Sequence, residues 1–344
     1  MIQSSLPPSV RPSTLPGAGV AILVNAHAKR GGRRVTAQIA RRLPGANVRL
    51  TRSPEEVDSW LRTLHSPRCV LAAGGDGTVI ALVNALARVY RDRPFPPFGI
   101  LPLGTGNAWA HSTSAPKLDR ALKLIASAKD PLVVRGFGLV ECEGTLTHFA
   151  GAGWDAQILD DYRAQLKHSK GPSRWLSKSI YGYVAATILR SAPRSILFGR
   201  PNVIIENLGD EVYTVTADKK LLRVHGLRHG SILYDGPMSV AGCSTSPDLG
   251  YGFRAYPFAE RFPGKMNVRV YDEGTLGAIR AIPRIWRGEH PIKGMHDWFA
   301  VAVRMTFSRK VPLQIGGDAI GMRQTVECKL ADRRVDVLDW RAFD

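Results

Sequence analysis

Residues Gly74-Gly75-Asp76-Gly77-Thr78 carry the clearest chemistry in the chain. They follow the apolar run Cys69 to Ala73 and precede a helix-like stretch, Val79 to Val89, so they read as strand, glycine turn and helix start. Glycines let the backbone turn sharply and approach a ligand, and the unpaired N–H groups of a helix start attract phosphate. An anionic ligand, a nucleotide above all, is implied. Thirty residues on, Phe98 to Leu103 leads into Gly104-Thr105-Gly106-Asn107 and repeats the pattern. Two such turns can face one crevice, with Gly74, Gly75, Gly77 and Thr78 cradling phosphates and Thr105 on its wall. Asp76 either positions a cation through water or holds its turn by accepting backbone N–H bonds.

Strands are expected at Val20 to Val24, Val48 to Thr51, Val70 to Ala73 and Phe98 to Leu101, with helices at Val35 to Arg42, Pro54 to Leu64, Val79 to Tyr90 and Lys117 to Ala128. This alternation predicts an α/β domain with a parallel sheet and ligands at the strands' carboxyl ends. After Pro131 the pattern changes to short alternating segments, among them Leu132 to Glu141, Met266 to Tyr271 and Phe299 to Phe307, which predict an antiparallel β-rich sandwich domain. A basic helical segment, Ser173 to Arg190, interrupts it. The resulting division is a disordered lead over 1–17, a nucleotide-binding domain over 18–131 and a β-rich domain over 132–329.

The chain has 344 residues, 44% of them hydrophobic, enough to fill two cores. No run of eighteen apolar residues occurs, and the first seventeen residues lack the apolar centre of a signal peptide. Four scattered cysteines show no metal or disulfide spacing, so buried, reduced thiols in a cytoplasmic protein are expected. Nine histidines include no metal-binding pair around a glutamate, leaving His27 and His111 as residues for a site edge. A net charge of +18 predicts attraction to polyanions such as lipid headgroups. Basic residues cluster in Lys29 to Arg34, Arg163 to Lys178 and Arg280 to Arg287. In the last cluster Ile282, Ile285 and Trp286 are interleaved, as for contact with an anionic membrane or for a solvated helix packing its apolar face inward. No nucleic-acid recognition motif accompanies the charge, and a homodimer stays open.

Gly-Gly-Asp-Gly-Thr followed by Leu101-Pro-Leu-Gly-Thr-Gly-Asn107 resembles the catalytic domain of diacylglycerol and sphingosine kinases, particularly soluble bacterial lipid kinases, and more distantly NAD kinases. Ala21 to Asn25 looks like that family's opening strand, Phe149 to Ala156 like the start of its second domain, Ser179 to Tyr183 like a following helix, and Val335 to Leu338 like its closing strand. The resemblance implies that residues 330–344 return to the first domain. It also implies ATP and Mg²⁺ as cofactors and a lipid hydroxyl, diacylglycerol-like by default, as acceptor. Asn25, Thr51, Gly74, Gly75, Asp76, Gly77, Thr78, Gly104 and Thr105 become nucleotide-site residues, and Asp76 and Asp318 catalytic ones, with Asp318 the base. On residue type alone, Asn25 could cap a turn, Thr51 end a strand and Asp318 close a hairpin.

Several carboxylates of the resembled family are missing. Ala108 follows Asn107 where aspartate is common, and Ile80-Ala81 replaces Asn-Glu. Pro263 replaces an aspartate in the loop Phe258 to Gly264, and Gly316 replaces that of Asp-Gly-Glu. These changes remove oxygen ligands, so no direct metal ligand is assigned, although Glu260 could substitute. The alternatives are an NAD kinase and a degenerate nucleotide or lipid sensor without turnover.

Overall fold

In the computed structural model, the described residues are 15–26, 32–104, 106–128, 131–154, 156, 157, 159 and 199–343. Residues 1–14 of the expected lead, the basic run 163–178 and the helix expected over 173–190 lie outside them.

The first half alternates as its sequence pattern requires: β1 (Val20–Asn25), α1 (Gly32–Arg42), β2 (Asn47–Thr51), α2 (Pro54–Arg62), β3 (Cys69–Gly74), α3 (Asp76–Val89), β4 (Phe98–Pro102), α4 (Ala108–Ser112) and α5 (Leu118–Ser127). The strands β1 and β3 are buried almost throughout because helices cover both faces of the sheet. Val57, Trp60, Val79 and Leu82 fill one face, and Val35, Ile39, Leu118 and Leu122 the other. Ser53 starts α2 by accepting the Glu56 N–H, with Pro54 at the first helical position, where a missing N–H costs nothing.

The second half contains β5 (Val134–Phe137), β6 (Val140–Cys142), β7 (Thr145–Thr147), β8 (Phe149–Gly153), β9 (Asn202–Asn207), β10 (Tyr213–Val215), β11 (Leu221–Arg223), β12 (Ile232–Pro237) and β13 (Val240–Ser244). It continues through β14 (Met266–Tyr271), α6 (Thr275–Trp286), β15 (Met295–Ala300), β16 (Ala302–Ile315), β17 (Asp318–Leu330) and β18 (Val335–Leu338). Two sheets result. The first has the order β2-β1-β3-β4-β18-β5, parallel except for β5, which runs antiparallel to β18. Its strand pairing therefore extends beyond Pro131, and β18 returns to lie beside β4. The second is a 12-stranded antiparallel sheet in which β16 pairs with β17 on one side and with both β8 and β9 on the other. Its core is built from residues such as Val203, Ile205, Val268, Met305 and Leu313.

Three features of this architecture position a site. Strand order reverses between β1 and its neighbours β2 and β3, which opens a crevice at their carboxyl ends. The β16–β17 hairpin turns through Gly316 and Gly317, at φ +57° and +86°, the left-handed pair that a two-residue hairpin requires. Finally, Asn84 on α3 clamps β7 by donating to the Leu146 carbonyl at 2.8 Å and accepting the Leu146 N–H at 2.9 Å.

Candidate active site

The two glycine turns meet as backbone. A Cβ added at Gly104 would lie 2.6 Å from the Gly75 Cα and 2.8 Å from Asn107 Oδ1, so glycine at 104 is a packing requirement. At Gly74 an added Cβ would fall 2.2 Å from Thr78 Oγ1. That hydroxyl is fixed, since it accepts a 3.0 Å hydrogen bond from Asn25 Nδ2 at the end of β1. Thr51 is buried at the end of β2, in register with Asn25, and its carbonyl accepts the Ala26 N–H. The structure thus brings Asn25, Thr51, Gly74, Gly75, Asp76, Thr78 and Gly104 to one edge of the first sheet. Thr105 and His27 lie outside the described residues.

Asp76 ties the turns together. Its Oδ1 accepts the Trp109 N–H at 3.1 Å, and the Ala108 N–H also supports the carboxylate, so the backbone of residue 108 serves it whatever side chain stands there. Its Oδ2 faces Gly106, 3.3 Å from where a Cβ there would sit. Desolvation raises the Asp76 pKa, against the pull of the two N–H groups and of His111. Behind α4, the fully buried His148 packs on Trp109 with ring centroids 4.7 Å apart, and neither imidazole nitrogen meets a protein partner among the described residues. Burial pushes its pKa down to about 3. The ring is therefore a neutral wedge against the residue whose N–H holds Asp76.

Asp318 arrives from the other sheet. It is exposed at the start of β17, and its Oδ2 lies 3.9 Å from the point a Cβ on Gly77 would occupy. Asp318 closes the hairpin at Gly316-Gly317, and that turn brings its carboxylate near the N-terminus of α3. At Gly316 an added Cβ would be 2.2 Å from Ile80 Cδ1 and 2.5 Å from Thr147 Oγ1. Ile80 and Thr147 occupy the volume that a side chain at 316 would need.

The loop 246–254 supplies residues that the sequence reading missed. Tyr251, at φ +55°, donates its N–H to the Gly106 carbonyl at 2.8 Å, and Gly250 packs on Gly106. Asp248 is buried beside them, and burial raises its pKa against the pull of Arg254 and His111. In sequence the loop shows only Gly250-Tyr251-Gly252, a glycine turn like many others. His111, exposed on α4, lies within the field of both Asp76 and Asp248, at the site edge as expected.

The residues do not form a metal cage. Among the described residues, no group of three His, Cys, Asp or Glu side chains converges to hold an ion. Glu260, the candidate substitute ligand, pairs with Arg135 at 3.5 Å instead. Arg135 also donates to the Ser112 carbonyl, and Ser112 bonds Ser246 across the junction of the two halves. All four cysteines are buried.

This crevice combines paired glycine turns at a strand-order reversal with a carboxylate delivered by a second sheet. Residues 19–133 match the model of the diacylglycerol kinase catalytic domain. Probable lipid kinase YegS of Salmonella typhimurium is 35% identical over 108 residues, covering 31% of this chain and 35% of that protein. The Escherichia coli K12 protein of the same name is 37% identical over 103 residues, 30% of this chain and 33% of that one. The match spans about a third of the length of these relatives. Over 94% of the chain the fold is similar to a diacylglycerol kinase from Bacillus anthracis, covering 98% of that chain at TM-score 0.59 and 15% identity. It is also similar to an NAD kinase from Archaeoglobus fulgidus solved with ATP, over 94% of this chain and 95% of that one, at TM-score 0.51 and 12% identity. The expected α/β fold with an antiparallel β-rich second half is borne out.

Proposed function

We propose that the chain is an ATP-dependent lipid kinase that transfers the γ-phosphate to a lipid hydroxyl, diacylglycerol-like by default. The observation that carries this reading is the approach of Asp318 to Gly77, which sets a carboxylate against the phosphate cradle. ATP binds with its phosphates over Gly74 to Thr78 and against the Gly104 turn, where a Cβ would collide with backbone. Asp318 orients the acceptor hydroxyl and takes its proton as that oxygen attacks the γ-phosphorus; the bond to the β-phosphate oxygen breaks and ADP leaves. Asp76 keeps the two turns in register. Mg²⁺ would be held chiefly by the ATP phosphates, whose charge it would offset, since few carboxylates face the site. Acceptor lipid enters between the two sheets while the basic surface holds the protein at an anionic bilayer facing the cytoplasm. No helix among the described residues is long and apolar enough to cross a membrane.

The test is transfer of labelled γ-phosphate from MgATP to diacylglycerols, sphingoid bases, ceramides and NAD, by wild type and Asp318→Asn. Label on lipid that the substitution abolishes is the expected result. Label on NAD alone would replace the acceptor class, a reading that the ATP-bound NAD kinase neighbour keeps in view. ATP binding without transfer to any acceptor would point to a sensor, in line with the replaced carboxylates.

A further inference from the structure

The helix α6 has two unlike faces. Thr275, Ala278 and Ala281 are buried against Trp154, Tyr271 and Ile292, so small residues seat the helix on the second half of the molecule. Outward it presents Leu276, 62% exposed, together with exposed Arg280, Pro283, Arg284 and Arg287. Leu276, Arg280, Pro283 and Arg287 follow at intervals of four, three and four and so share one stripe. Glu289 pairs with Arg284 at 3.0 Å and with Arg287 at 2.6 Å, while Arg280 has no carboxylate partner among the described residues. The bland reading of the segment, an amphipathic helix turned inward, accounts for the small residues and leaves the Leu276–Arg287 stripe unexplained.

The end of α6 is connected to the glycine turns by one short loop. The Trp286 carbonyl accepts the Arg254 N–H at 3.2 Å, and the Trp286 ring lies 5.1 Å from that of Phe253. Ile285 packs into the cluster that contains Leu249 and Phe253. Three residues earlier than Arg254, the Tyr251 N–H holds the Gly106 carbonyl.

We propose that the outer stripe of α6 docks on an anionic phospholipid bilayer, and that docking steadies the 249–254 loop against the Gly104–Asn107 turn. Charge complementarity selects this occupant: guanidinium groups meet lipid phosphates while Leu276 and Pro283 enter the headgroup boundary, a mixture suited to an interface. The functional meaning of the coupling rests on the lipid-kinase reading, but the docking does not.

The experiment uses the full chain and vesicles of phosphatidylcholine with or without phosphatidylglycerol, read by co-sedimentation. Wild type binds the anionic vesicles, and more weakly as salt rises. Leu276→Glu/Arg280→Glu, with unchanged circular dichroism and melting temperature, loses at least about tenfold in affinity, and Arg280→Gln alone loses a few-fold. Hydrogen exchange of wild type with vesicles shows slowed amides in α6 and in 249–254. Undiminished binding by the double variant, equal binding to neutral vesicles, or duplex DNA competing as well as phosphatidylglycerol would overturn the docking site. Slowing confined to α6 would overturn the coupling. Neither readout requires turnover, so failure of the kinase assay leaves both interpretable.

Discussion

At Gly104 an added Cβ would meet backbone, 2.6 Å from the Gly75 Cα, whereas at Gly316 it would meet a side chain, Ile80 Cδ1 at 2.2 Å. The first contact joins two main chains and cannot be relieved by changing a neighbour. The second can. The crevice edge built by the paired turns is fixed by main-chain contact, and the side where Asp318 arrives is bounded by side chains.

The sharpest way to separate the sides is by kinetics. Asp318→Asn should lower kcat by about 10²- to 10⁴-fold, as for loss of a general base, with the KM for ATP unchanged. A rise in the ATP KM of similar size would place Asp318 in nucleotide binding and erase the distinction. Next in size, Gly316→Asp should destabilise the fold by about 1–3 kcal/mol through overpacking against Ile80. Adding Ile80→Asn should recover at least about 0.5 kcal/mol of this in a double-mutant cycle followed by urea unfolding. Strict additivity would show that positions 80 and 316 are not coupled. Gly104→Ala should raise the ATP KM about tenfold, near the low end of overpacking costs, and no second-site change at Asn107 should rescue it.

The smallest effect tests the wedge behind Asp76. Because burial holds the folded-state pKa of His148 near 3, below the ordinary value of 6.5, the unfolded chain binds the extra proton first as pH falls. The stability conferred by the neutral ring is therefore present above pH 6.5 and is lost progressively between 6.5 and 3. Between pH 6.5 and 5.5 the loss is about 1 kcal/mol. His148→Leu should show less decline over that interval in urea melts at each pH. A decline equal to that of wild type would mean that other groups dominate acid unfolding.

Much of the site could be read in the chain itself. Gly74 to Thr78 and Gly104 to Asn107 follow apolar runs that can only be buried strands, so local propensity and function point the same way. The departures at Ala108, Pro263 and Gly316 were equally visible. Their meaning was not: Ala108 acts through its N–H, Gly316 yields space to Ile80, and Glu260 turns to Arg135, all of which depend on partners distant in sequence. Tyr251 and Asp248 were overlooked because nothing nearby in sequence tells a loop over a nucleotide turn from any other glycine-containing loop.

Strand and helix order, the two glycine turns and the identity of Asp318 as an acid in a Gly-Gly-Asp hairpin were determined by the sequence alone, since periodicity and turn chemistry are local properties. Tertiary structure decided that β5 joins the first sheet, that Asp76 spans both turns, and that Asp318 faces Gly77. Each of these depends on contacts between segments far apart in the chain, whose geometry is set by how two cores pack and not by any single stretch of residues.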